Sequence, residues 1–250
     1  MRTLTALWKL LRGLWHVLVG MWTIYVRFPQ LSLEQREMHV QVWALQFLAL
    51  WNIHLQVRGQ PVRNGPALIV ANHISWLDIS VIHAARHCRF VSKSDIQDWP
   101  LLGTLATGAG TLYIERTSRK DALRMVKDMA DAMKNGDVVA VFPEGTTSDG
   151  RDLLPFHANL IQSAIQAGAP VQPMSIQFVD DRTGEPSFAP CYIGDDTLLG
   201  SIWRTLTAPR ITAVVHFGEL QLAQGRDRRT WAHDLRKEVV RLRDAVNSGG

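Results

Sequence analysis

Two short apolar runs constrain this chain most, Ala67–Ala71 and Val138–Val141, with residues 171–179 read as a further strand. A strand that reads as a continuous apolar run is buried on both faces. That is the pattern of a parallel sheet covered by helices on each side. Helical spacing separates the runs. Residues 77–85 have it, as do residues 118–134, where Leu123, Val126, Ala130 and Met133 share one face and Gly136 supplies the stop. Residues 159–167 are closed by Gly168. Arg89–Lys93, residues 111–114 and Ile211–Phe217 read as further strands, residues 180–190 as a surface loop, and residues 231–246 as a polar amphipathic helix. The alternation predicts an α/β fold, a mostly parallel central sheet flanked by helices, over residues 59–250.

Composition narrows the class. At 250 residues, 46% hydrophobic and 20% charged, the chain has ordinary globular usage and is long enough to fold without staples. Two cysteines, Cys88 and Cys191, exclude a disulfide scaffold and offer no CxxC pair. The net charge of +4 is local. Arg2, Lys9, Arg12 and Arg27 precede the first acidic residue, Glu34, and the remainder carries 23 charges of each sign. A nucleic-acid binder would need a basic stripe on a recognisable module, and none is present, so no nucleic-acid partner is expected.

A basic, apolar N-terminus instead fits an anionic membrane surface. Trp8, Trp15 and Trp22 recur every seven residues, which forms one stripe on a helix and suits a headgroup boundary. The competing reading is that these indoles pack on the domain's own core. The uncharged residues 13–26 are too few to span a bilayer, and no cleavage site of signal-peptide type follows them. Residues 38–57 are also uncharged, but Gln41, Gln46, Asn52, His54 and Gln56 make them read as an amphipathic helix. With Pro29 breaking the helix between the two stretches, residues 1–58 are expected to form a membrane-associated helical hairpin.

Three segments carry chemistry. Asn72-His73-Ile74-Ser75-Trp76-Leu77-Asp78 follows a strand and opens a helix, where α/β folds place ligands. A histidine can take a proton from a hydroxyl, and a carboxylate on its other nitrogen fixes the tautomer. Five residues apart on one helix, the two side chains would point about 140° apart. They meet only if His73 precedes the helix and Asp78 lies in its first turn, with Ser75 as N-cap. The same residues also read as a capping box beside a solvated histidine. Phe142-Pro143-Glu144-Gly145-Thr146-Thr147-Ser148 could cradle an oxyanion or phosphate, or could be a self-satisfied turn. Gly110-Thr111-Leu112-Tyr113-Ile114-Glu115-Arg116 ends on an arginine that could hold a phosphate.

In this order the three segments resemble the lysophospholipid acyltransferase family. Lys93-Ser94-Asp95 with Trp99-Pro100-Leu101-Leu102-Gly103, and Ala169-Pro170-Val171-Gln172-Pro173, are similar to two further blocks of that family. The resemblance covers roughly residues 66–180, and the N-terminal helical pair is similar to the membrane-binding hairpin of bacterial members. It implies that His73 is the general base and Asp78 its orienting partner. It further implies that Arg116 binds the acceptor phosphate, that Glu144, Gly145 and Thr146 shape the acceptor pocket, that Asn72 braces the turn and that Lys93 joins the substrate-binding set. The implied reaction moves an acyl group from acyl-CoA or acyl carrier protein, as co-substrate, to the free hydroxyl of a lysolipid. No cofactor and no metal is implied. The implied site faces the cytosol from the inner membrane, held peripherally or monotopically.

Two departures bear on the acceptor. Thr147 stands where the family's third block carries arginine, and His157 stands where a later block carries lysine. Lysophosphatidic acid, giving phosphatidic acid, remains the first expectation because Arg116 is intact, with lyso-ornithine lipid or another lysolipid as the alternative. Two remote alternatives complete the set. One is a metal-dependent hydrolase built on His83 and His87, read as i, i+4 on a helix; the other is a non-catalytic membrane-surface protein.

Overall fold

The computed structural model describes residues 2–115 and 118–247. Helix α1 (Arg2–Val26) leads through a 3-10 turn at Phe28–Gln30 into α2 (Leu33–Leu50). Ser32 starts α2 with a capping box: its hydroxyl accepts from the Gln35 N–H, while the Gln35 side chain accepts from the Ser32 N–H. Then follow β1 (Ile53–Arg58), β2 (Ala67–Ala71), α3 (Asp78–Ala85), β3 (Arg89–Lys93), a 3-10 turn at Ser94–Asp98, α4 (Leu102–Gly108), β4 (Leu112–Ile114), α5 (Arg119–Lys134) and β5 (Val138–Val141). The chain closes with α6 (Ala158–Ala167), β6 (Val171–Asp180), α7 (Leu198–Thr207), β7 (Ile211–Phe217) and α8 (Arg228–Asn247).

The seven strands form one sheet in the order β1-β7-β6-β2-β5-β3-β4, parallel throughout except between β6 and β7. The expected mostly parallel α/β fold is therefore present. Strand β2 shows why the apolar runs are continuous. Ala67, Ile69 and Ala71 face a core shared with Leu48, Val81 and Ile82, whereas Leu68 and Val70 face one shared with Met129, Ile161 and Trp231. Helices α2 and α3 thus cover one face, and α5, α6 and α8 cover the other.

One expectation fails. Residues 38–57 are not a single helix, because α2 stops at Leu50 and Ile53–Arg58 pairs in parallel with β7, Ile53 opposite Ile211 through Arg58 opposite His216. Asn52 makes the break by adopting a left-handed conformation (φ 61°), which asparagine tolerates better than most residues. Strand β1 belongs with the sheet, so the helical arm ends before it and not at residue 58. Helices α4 and α7 are additions that periodicity did not mark.

The tryptophans divide. Trp8, Trp15 and Trp22 are exposed on the outer face of α1, so the stripe does not pack on the protein's own core. Trp43 and Trp51 turn inward. A Cβ at Gly13 would lie 2.4 Å from the Trp51 indole nitrogen, and one at Gly20 would lie 2.5 Å from that of Trp43. The two glycines let α1 lie directly on those rings. His16 secures the seam by stacking on Trp43 (4.9 Å) and bonding its carbonyl, while the Trp43 indole N–H donates to the His16 carbonyl. Among the described residues no helix is long and apolar enough to cross a membrane.

Candidate active site

Strands β2, β5, β3 and β4 run parallel, so their carboxyl ends share one edge of the sheet. His73 follows β2 on that edge, and the loop from Phe142 to Ser148 follows β5. Lys93 ends β3, where it is exposed. Arg116, beyond β4, lies outside the described residues.

His73 and Asp78 meet. His73 sits before α3 and Asp78 is the first residue of that helix, which is the arrangement the spacing of five requires. One buried oxygen, Asp78 Oδ2, accepts from His73 Nδ1 (2.8 Å), the Ile74 N–H (2.7 Å) and the Ser75 N–H (2.9 Å). The carboxylate therefore sets the turn and the imidazole together. With the proton held on Nδ1, Nε2 keeps its lone pair. Ser75 is not the N-cap, which is Leu77 without a side-chain cap bond, and the capping reading is realised only in part: Asp78 accepts from the Ser75 N–H, but the Ser75 hydroxyl accepts from the Leu77 N–H and not from Asp78.

A frame of buried polar groups surrounds this pair. Glu144 is buried, with Oε1 accepting from the His73 N–H and Oε2 from the Leu154 N–H, both at 2.8 Å. Burial pushes its pKa up, and those two N–H donors together with His73 oppose the rise. The carboxylate thus braces the turn at His73 as a strut. Asn72 is fully buried, its amide donating to the Ile176 carbonyl (3.0 Å) and accepting from the Ile176 N–H (2.8 Å), which ties the end of β2 to β6. The Ser148 N–H donates to the His73 carbonyl (2.8 Å).

Phe142 stacks on the His73 ring at 3.9 Å with 8° between the planes, and Phe90 backs Phe142. Gly145 has φ 74° and lies against the His157 ring, 3.0 Å from where a Cβ would stand. Thr146 is exposed. The Thr147 hydroxyl donates to the Tyr192 carbonyl, so this position fastens a loop and presents no cation. Phe142 and Ser148 lie inside a segment singled out on sequence but were not assigned a role there. Ile176, Leu154 and Tyr192 carried no local signal at all.

The histidines of the hydrolase alternative are placed elsewhere. Helix α3 ends at Ala85, so His87 lies beyond it. His83 is buried against Phe90 and stacked on His87. Burial, assisted by His87, pushes the His83 pKa down to about 3. Among the described residues no cluster of three or more His, Cys, Asp or Glu side chains could hold a metal ion. Both thiols are buried, which pushes Cys88 up to about 12 and Cys191 up to about 11, so neither offers a ready nucleophile.

The fold and the pair define an α/β protein that can take a proton from a hydroxyl at the carboxyl edge of its sheet. An acyltransferase family model matches residues 54–177. The chain is 37% identical to the lyso-ornithine lipid O-acyltransferase of Pseudomonas aeruginosa, over 83% of this chain and 78% of that protein. It is 39% identical to the 1-acyl-sn-glycerol-3-phosphate acyltransferase of Neisseria gonorrhoeae, over 68% of this chain and 66% of that protein. The crystal structure of the 1-acyl-sn-glycerophosphate acyltransferase of Thermotoga maritima shares the fold with a TM-score of 0.69 at 18% identity, covering 97% of this chain and 98% of that one. The chain belongs to this acyltransferase family and is an O-acyltransferase.

Proposed function

We propose that the protein moves a fatty acyl group from a thioester, acyl-CoA or acyl carrier protein, to the free hydroxyl of a lysolipid. The observation that carries this reading is the His73–Asp78 pair, with Nδ1 committed to the carboxylate and Nε2 available. Nε2 takes the hydroxyl proton as the oxygen attacks the thioester carbonyl. The C–S bond then breaks, and the departing thiolate takes the proton back from the imidazolium. Asp78 holds the ring and balances its transient charge. The exchange balances without a resident cofactor. Glu144 and Asn72 act by holding the turn. Gly145, Thr146, Lys93 and Arg116 remain the residues proposed to meet substrate.

Lysophosphatidic acid is the first acceptor proposed, with Arg116 on its phosphate. Thr147 favours the second, lyso-ornithine lipid, because its hydroxyl serves the Tyr192 carbonyl and adds no positive charge to the acceptor side. The exposed apolar stripe of α1, with Arg2, Lys9 and Arg12 beside it, supports attachment to the inner membrane surface, peripheral or monotopic, with the site facing the cytosol where thioester donors are made.

The test is acyl transfer by purified protein in detergent, using labelled acyl-CoA and acyl carrier protein thioester against each acceptor in turn. Turnover is expected with at least one lysolipid. Turnover with lyso-ornithine lipid alone would select the second acceptor. No transfer to any lysolipid would overturn the reading.

A further inference from the structure

Helix α1 does not stand alone at the surface. Its C-terminal end rests on α4, where Tyr25 bonds the Thr104 hydroxyl (3.2 Å) and Ile24 packs against Gly108. Helix α7 also packs against α1, and Ala6 shares a core cluster with Leu206. Both neighbours expose large apolar side chains. On α7, Leu199 is 78% exposed and Trp203 38%, four residues apart on one face, while Ser201, Thr205 and Leu206 fill the buried one. At the α4 corner, Trp99 is 48% exposed and Leu102 43%.

We propose that these four residues enter an anionic lipid monolayer beside α1, so that α1, about 37 Å long, lies in the plane of the surface with a foot on α7 and another at the α4 corner. The inference rests on the reading of α1 as a membrane contact. The charge pattern fixes the occupant. Arg2, Lys9 and Arg12 on α1 and Arg27 just beyond it form no ion pair among the described residues, and no acidic residue occurs before Glu34. A second copy of α1 laid on this one would bring like charges together, whereas anionic headgroups neutralise them. Indole and leucine are side chains suited to the boundary below those headgroups.

The test is flotation of the full chain with vesicles of phosphatidylglycerol and phosphatidylcholine in equal parts. Leu199→Glu is the first variant, since so exposed a side chain has little packing to lose, followed by Leu199→Glu with Trp203→Ala, and Trp99→Ala with Leu102→Glu. Leu123→Glu is the control, because Leu123 is exposed on α5 at the opposite face of the sheet. Each foot variant is expected to lower vesicle partition on the order of tenfold and the control to leave it unchanged. Acyl transfer to a detergent-dispersed acceptor should stay near wild type. Unchanged partition of the folded Leu199→Glu variant would overturn the inference. So would conversion of a dimer to a monomer by these variants, which would assign the face to a second copy. Lost partition in a protein that transfers no acyl group would leave the surface standing and remove the proposed reaction.

Discussion

The turn at His73 and the helix α1 solve opposite problems. Around His73 the polar groups are drawn inward and, Asp78 Oδ1 apart, given partners. Asp78 Oδ2 serves three donors, Glu144 serves two, and the Asn72 amide is matched at both atoms. On α1 the apolar groups are turned outward. Only Ala6, Gly13 and Gly20 are buried, and the tryptophans that back the helix come from α2 and its C-terminal cap. The turn is held in one geometry by hydrogen bonds that leave little room to move. The arm is held by a glycine seam on one side and is finished on the other by whatever it rests on.

The contrast can be broken most severely at the turn. Asp78→Asn can keep an amide oxygen on the three donors and place its NH2 at the Oδ1 position, which has no hydrogen-bond partner, so it removes the negative charge that balances the imidazolium. The kcat for acyl transfer is expected to fall on the order of 10³-fold with the fold retained. A loss below tenfold would show that the carboxylate charge is not what supports the base. Glu144→Ala removes the strut and leaves two partly buried N–H groups unmatched. We expect at least a tenfold loss in kcat and a stability loss of about 2 kcal/mol, read by thermal melting. An effect on KM alone would place Glu144 on substrate instead of behind the turn.

The arm should respond in stability and attachment, not in chemistry. Gly20→Leu drives a side chain into the Trp43 indole and is expected to cost about 1–3 kcal/mol or to lift α1 from α2. Protease sensitivity of α1 checks this, with kcat on a detergent-dispersed acceptor near wild type. Near neutral pH the smallest effect comes from the core between the two regions, and it grows only on acidification. His83 is pushed down to about 3 from an ordinary 6.5, so below pH 6.5 the unfolded chain takes a proton that the native chain refuses. Stability should therefore fall as the pH falls from 6.5 toward 3, by up to about 1.4 kcal/mol per pH unit from this group, and be fully present above 6.5. Urea titrations of wild type and His83→Leu at several pH values would show the slope in the first and its loss in the second.

The two regions also differ in how far sequence reveals them. The spacing of His73 and Asp78 states the condition for a pair, since a loop residue and a first-turn residue can meet at five positions, but it reads equally as a capping box until the resemblance is added. The stripe of Trp8, Trp15 and Trp22 is equally local, set by helical period. What stayed hidden depends on distant backbone. Glu144 reads as a lining residue of the acceptor pocket, yet its oxygens are spent on amides at positions 73 and 154. Strand β1 continues an uncharged helical stretch, and only its partner β7, over 150 residues away, makes it a strand. Asn52 was the one local hint. Trp43 and Trp51 look like the exposed indoles until Gly13 and Gly20 are seen against them. Thr147 signals a missing cation, but its bond to Tyr192 needed the fold.

The most direct measurement is acyl transfer from labelled acyl-CoA by wild type and His73→Ala, in detergent, on whichever lysolipid the wild type accepts. With Nε2 as the base, the variant should retain its fold, its thioester binding and its vesicle attachment while kcat falls by about 10³-fold or more. A folded variant that turns over within a few fold of wild type would contradict the assignment of His73 as the group that takes the hydroxyl proton.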